Sequence, residues 1–391
     1  PVTEPARSPG PDVRSRRQLS GGLVYDRACA QHDSPSSELV AAFDGERVVV
    51  SDGGDEIARI RGRPPVRWSG SGGLLAVGRR GALWTWDGQR YEGPDVPLEL
   101  SRGGRASWAW SPYADCALVL DGDRLDAFHT GAGANSTTLV NENVEAAAWG
   151  PRGRVAVVLE EEGRRSLWVA DPMRSTMRLV SDFDPATCCV VLGGWTRSGE
   201  ALFWAGPGRS AMQDGWPLRS ATPRGRTKTW GRTLPRPDTI AICDAGIVAL
   251  TGSDRHLRTS RVSLLRAGKR TEHLTKRARH QGLACSADGA SVVVAAGAGL
   301  TIVPFDGSPA TPLTRPRRAT DVDPQWGPGG VLFVRQTGPV RELWLVTPER
   351  RPRFVATLVA PPKASPELAY DWTATRPTGL LAGSGRASPT E

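Results

Sequence analysis

Lysine is scarce in this 391-residue chain: four (Lys228, Lys269, Lys276, Lys363) among 50 basic residues, so 46 are arginine. Apolar runs of membrane length are missing too. The longest uncharged ones, such as Val155 to Leu159 and Ser291 to Ala296, stay under ten residues, well short of the ~20 that a spanning helix needs. No stretch of that length holds a helical hydrophobic period, which excludes coiled coils and helical bundles. The chain lacks CxxC, His-Glu-x-x-His and a Gly-rich phosphate loop opening a helix. It also lacks the Gly-x-Ser-x-Gly elbow that exposes a hydrolase serine. The five histidines (His32, His129, His256, His273, His280) stand singly. No metal and no cofactor is expected from these patterns.

Six cysteines (Cys29, Cys116, Cys188, Cys189, Cys243, Cys285) have no metal-ligand spacing. The one close pair, Cys188 and Cys189, is vicinal, a spacing that strains disulfide geometry. Buried free thiols are the expectation. The net charge is +9, but the arginines are dispersed over separate loops, as at Arg102 and Arg105, Arg315 to Arg318 and Arg350 to Arg353. A nucleic-acid reader gathers its charge on one face, so no specific nucleic-acid signature is present.

What the chain does have is 45 Gly, 32 Pro and 14 Trp, arranged in a repeat. An apolar strand ending in Trp or Cys, a Gly-containing turn and a second apolar strand recur as VRWSGSGGLLAVG, WAWSPYADCALVL, AAWGPRGRVAVVL, GGWTRSGEALFWA, IAICDAGIVALTG, LACSADGASVVVA and PQWGPGGVLFVR. The markers Trp68, Trp110, Trp149, Trp195, Cys243, Cys285 and Trp326 are 42, 39, 46, 48, 42 and 41 residues apart. Each marker pair is followed by a third, alternating strand (ALWTWDG, SLWVADP, ELWLVTP) and a more polar fourth (MRLVSD, RFVATLV). One such meander has two faces to cover, so copies must stack around an axis, each aromatic packing on the next sheet.

This predicts an all-β fold, a β-propeller of four-stranded antiparallel blades over 39–376. Eight blades are expected, with seven as the alternative. Leu39 to Ile60 supplies three strands of one blade and LAYDWTA, near Trp372, its missing first strand, so both termini close the ring and remove an exposed edge. Residues 1–38, rich in Ser, Pro and Arg, read as a disordered linker behind a removed leader or as a cut end, and 377–391 as a flexible tail.

The strand-Trp-turn-strand pattern, clearest in AWSPYADCALVL, AWGPRGRVAVVLEEEGRRSLWVADP and QWGPGGVLFVRQTGPVRELWLV, resembles the WD-like repeats of TolB-type β-propellers. The family turn Ser-Pro-Asp-Gly is degenerate here: Asp-Gly survives at Asp288-Gly289 and Ser-Pro at Ser111-Pro112. The resemblance implies the propeller fold and an extracytoplasmic (periplasmic, secreted or surface-anchored) setting.

Chain direction alternates strand by strand, so the loops entering the blades share one face with the hairpins between second and third strands. That face is expected to hold Arg79, Arg80, Arg105, Arg209, Arg236, Arg255, His256, Arg279, His280, Arg318, Asp321 and Asp323, a binding surface for another protein. The reading is a monomeric, non-catalytic platform. Its rivals are a propeller hydrolase or lyase with a polar site at the channel mouth, and a binder of carbohydrate or anionic polymer. Glu160, Glu161 and Glu162 form a hairpin tip, solvated or cation-binding. The i, i+2 pairs Trp84/Trp86 and Trp108/Trp110 each point to one strand face, toward interblade packing or toward a sugar ladder.

Overall fold

The computed structural model describes residues 16–18, 39–358 apart from 53–54, 70–74, 80–81, 90, 98–106, 112–115, 130–135, 207–214, 253–258, 287, 328 and 350, then 370–372 and 380–382. Eight antiparallel sheets form eight blades. Blade 2 comprises Arg63–Trp68, Leu75–Arg79, Ala82–Trp86 and Tyr91–Pro97, and blade 3 Ser107–Trp110, Cys116–Asp121, Arg124–His129 and Ser136–Val140. Blade 4 comprises Val144–Trp149, Val155–Glu161, Arg164–Asp171 and Thr176–Asp182, and blade 5 Cys189–Trp195, Ala201–Gly206, Trp216–Ala221 and Thr227–Thr233. Blade 6 comprises Ile240–Cys243, Gly246–Thr251, Arg261–Leu265 and Glu272–His273, and blade 7 His280–Cys285, Ser291–Ala296, Gly299–Pro304 and Thr311–Pro312. Blade 8 comprises Thr320–Gly327, Gly330–Thr337, Val340–Val346 and Arg353–Leu358.

Blade 1 is built from both ends of the chain. Leu39–Phe43, Val48–Asp52 and Asp55–Ile60 are its outer three strands, and Tyr370–Trp372 is its first. Val40 stands opposite Trp372 and Ala42 opposite Tyr370. The expected closure by both termini is therefore present.

The second strands explain why the ring holds. Along Val155–Glu161, the odd residues Val155, Val157 and Leu159 join blade 3 in one buried cluster, while Ala156 and Val158 join blade 5 in another. A strand buried on both faces needs a continuous apolar run, and this is what the sequence supplies. Among the described residues there are eight such clusters, one at each seam, including Val40 and Ala42 of blade 1 against Leu332 and Val334 of blade 8. The tryptophan pairs belong to these seams: Trp84 and Trp86 pack at blades 1 and 2, Trp108 and Trp110 at blades 2 and 3. Fourth strands such as Thr227–Thr233 are mostly exposed, forming the outer rim.

The marker tryptophans tie blade to blade by more than burial. Trp149 Nε1 donates to the Ala109 carbonyl at 3.3 Å, and Trp195 Nε1 donates to the Ala148 carbonyl at 3.2 Å. Ala109 and Ala148 each precede the marker of the previous blade, so the bond repeats with the sequence. Gly150 follows from the same contact, since a Cβ there would collide with the Trp195 indole.

The cysteines correct the sequence reading. Cys243 and Cys285, which replace Trp as markers in blades 6 and 7, lie on first strands of adjacent blades as expected, but they are bridged, with Cα atoms 5.6 Å apart. Cys243 is buried, and Cys285 is partly so. Cys188 and Cys189 are bridged as well, and Cys116 is disulfide-bonded. The free-thiol expectation failed because it treated the cysteines as isolated replacements. Equivalent positions in neighbouring repeats are neighbours in space, within bridging reach.

Two short strands fall in segments read as linker and tail. Arg16–Gln18 pairs with the outer edge of blade 4, Arg16 opposite Arg178 and Gln18 opposite Thr176. Leu380–Ala382 pairs with its inner edge, Ala382 opposite Ala146 and Leu380 opposite Ala148.

Candidate functional site

The antiparallel registers set the start of each first strand beside the hairpin joining the second and third: Val144 opposite Leu159, His280 opposite Ala296, Thr320 opposite Gln336. Arg236, Arg279 and Arg318 lie in the loops entering blades 6, 7 and 8, and all three are exposed. With the Gln281 amide turned so that its oxygen faces Arg279, the guanidinium donates to that oxygen at 3.0 and 3.1 Å. Arg79 ends the second strand of blade 2. Arg80, Arg105, Arg209, Arg255 and His256 lie outside the described residues.

Asp321 and His280, expected on this face, point inward. Asp321 is 1% exposed and takes a bidentate ion pair from Arg335, at 2.8 and 2.9 Å, while Thr314 Oγ1 donates to it at 2.6 Å. Arg335 in turn lies 4.5 Å from the centre of the Trp344 ring and 5.4 Å from that of Phe333. Both carboxylate oxygens are thus committed to the seam between blades 7 and 8, the arrangement by which a buried charge is made tolerable. His280 is buried, with Nδ1 3.1 Å from Ser260 Oγ. Burial lowers its pKa below the usual histidine value, and a backbone hydrogen bond with Ser260 offsets part of this. Asp323, two residues after Asp321, is exposed, with a φ of 50°. Glu160, at the acidic tip, pairs with Arg165 at 3.0 Å. Among the described residues, no three His, Cys, Asp or Glu side chains group as metal ligands.

The channel holds a feature that no motif announced. Leu380–Ala382 adds a fifth strand inside blade 4 and also contacts the first strands of blades 3 and 5, Ser107–Trp110 and Cys189–Trp195. It therefore lies on the axial side of three consecutive blades. The strand that receives it reads Val-Glu-Ala-Ala-Ala-Trp, and Ala146, Ala147 and Ala148 are all buried. Three consecutive methyl side chains leave the backbone edge open to a neighbouring strand, which needs to come within ~4.8 Å. The run of alanines was the available signal, and the sequence reading passed over it.

No protein-family model matches the sequence, and no curated protein matches it. Among solved structures, a eukaryotic initiation factor is similar at a TM-score of 0.54 and 13% identity, over 92% of this chain and 93% of that one. The dipeptidyl peptidase 4 of Porphyromonas gingivalis gives 0.54 and 11%, over 86% of this chain and 60% of that one. A putative TolB from Agrobacterium tumefaciens gives 0.34 and 13%, over 87% and 98%. At such identities the likeness is one of fold, and the fold is the β-propeller.

Proposed function

We propose that this chain is a non-catalytic binding propeller that takes an extended segment of another protein along the inner edge of blade 4. The observation behind the reading is the pairing of Leu380–Ala382 with Ala146–Ala148. Strand addition draws affinity from main-chain hydrogen bonds and takes specificity from flanking side chains. The chain's own segment would then be a weak placeholder that a partner displaces. The entering loops with exposed Arg236, Arg279 and Arg318 would form the rim around this groove.

An oxidising, extracytoplasmic setting is part of the proposal. Its support is the bridging of Cys188 to Cys189 and of Cys243 to Cys285, with no free cysteine among the described residues, since such bonds persist outside the reducing cytosol. No helix among the described residues is long and apolar enough to cross a membrane.

Leu381→Pro tests the reading, because proline removes a ladder donor and disfavours strand pairing. A fluorescent peptide copying residues 377–386 should bind the variant with a micromolar Kd and the parent chain far more weakly. Equal binding to both, or to neither, would contradict the inner edge as the site.

A further inference from the structure

A second site lies on the opposite face, between blades 4 and 5. A cavity of about 330 Å³ is lined by Arg154, Arg174, Arg178, Arg224, Asp171 and Thr176, with Val169 and Pro223. Arg154 sits at the turn into the second strand of blade 4, and Asp171, Arg174 and Thr176 lie at the turn between its third and fourth. Arg178 is on the fourth strand itself, and Arg224 comes from the corresponding turn of blade 5. Both turns belong to the face away from the entering loops.

The charge of this cavity is one-sided. Several arginines elsewhere are matched: Arg59 with Asp44 and Glu56, Arg124 with Asp126, Arg165 with Glu145 and Glu160, Arg266 with Glu272, Arg335 with Asp321. Here four guanidiniums face one carboxylate, and Asp171 already answers Arg174 at 3.7 Å. Arg154, Arg178 and Arg224 have no ion pair or side-chain hydrogen bond among the described residues. Cations gathered without counter-charge repel one another, and a bound anion relieves that repulsion. Guanidinium forks suit tetrahedral oxyanions, which they grip through paired N–H donors. A volume in the range of small-molecule sites leaves room for an organic body attached to the anion. The N-terminal strand adds backbone alongside, with Arg16 in register with Arg178.

We infer that this cavity binds a small organic ligand through a phosphate or sulfate ester, with Arg154, Arg178 and Arg224 holding the oxyanion and Thr176 supplying a hydroxyl. The site is separate from the blade 4 inner edge, and either can stand without the other. Glucose 6-phosphate, glucose 6-sulfate and unmodified glucose serve as probes, by calorimetry and by thermal melting of the full chain. One or both esters should bind and raise the melting temperature, and the preference between them identifies the ester. Arg178→Glu with Arg224→Glu, both exposed positions, should weaken that binding about 100-fold, as loss of two charged hydrogen-bond donors implies. Its ligand-free melting should match the parent, and Arg178→Gln with Arg224→Gln provides the same test if the reversed charges disturb folding. Binding of neither ester, equal binding of glucose, or unchanged affinity in both double variants would overturn the inference. Retention on heparin alone, equal in parent and variants, would also overturn it, assigning these arginines to a diffuse polyanion surface.

Discussion

Two seams of the same ring solve the same problem differently. Between blades 4 and 5 the marker position is tryptophan, whose indole fills the gap and donates to the neighbouring backbone, and both blades have seven-residue fourth strands. Between blades 6 and 7 the marker position is cysteine, both fourth strands have two residues, and a disulfide joins the two first strands. The thinner blades bury fewer side chains at their rim, and a covalent link stands where the indole would have packed. A repeat position therefore specifies a connection between blades rather than a residue type.

The largest effect should come from emptying the tryptophan seam. Trp195 is 6% exposed and packs between blades 4 and 5, and Trp195→Ala should cost about 3–5 kcal/mol by removing a large buried ring, read as a shifted midpoint in denaturant unfolding. The covalent seam should respond on a similar scale. Cys243 and Cys285 close a loop of 42 residues, for which chain entropy gives about 4 kcal/mol. Cys243→Ser with Cys285→Ser should lower stability by about 2–4 kcal/mol, and a reducing agent should then act far less on the variant than on the parent. If the variant melts like the parent, the disulfide does not substitute for the indole.

Gly150→Ala should cost about 1–3 kcal/mol, because the added methyl meets the Trp195 ring and overpacking forces side chains from their wells. At the equivalent position after the Cys243 marker stands Asp244, a residue with a Cβ, where the next blade carries Cys285 in place of a tryptophan. The smallest effect is a pH dependence local to blades 6 and 7. His280 has a folded pKa below its unfolded value of 6.5 because it is buried. Stability from its neutral form is complete above the unfolded value, and it is lost as pH falls through 6.5 toward the folded value, where the unfolded chain takes up the proton more readily. His280→Gln should flatten that slope in melting curves between pH 7.5 and 5, whereas a change on the tryptophan seam should leave it intact.

Most of the architecture was legible because it is written locally. A period near 43 residues, alternating strands and the split blade from Leu39–Ile60 and Tyr370–Trp372 all follow from pattern along the chain. The turn chemistry was legible too: Ser286 Oγ accepts from the Ser291 N–H and donates to Asp288, which holds the surviving Asp-Gly turn. What the sequence hid depends on which repeats meet in space. Arg154, Arg178 and Arg224 are far apart in the chain and converge because turns of adjacent blades share a face. Asp321 looked like a channel-mouth acid, but its strand carries it into the seam, where Arg335 waits from the neighbouring strand. The Cys243–Cys285 pair was readable in principle, since both hold the marker position of successive repeats.

The binding proposal rests on whether the inner edge of blade 4 is a strand-accepting edge held by the chain's own Leu380–Ala382. Hydrogen exchange at the backbone amides of Ala146 to Ala148 measures this directly. In the parent chain the segment should protect them, in Leu381→Pro protection should fall with no change at the other first strands, and a peptide copying residues 377–386 should restore it. Equal protection in parent and variant, or a loss that the peptide does not reverse, would contradict the account.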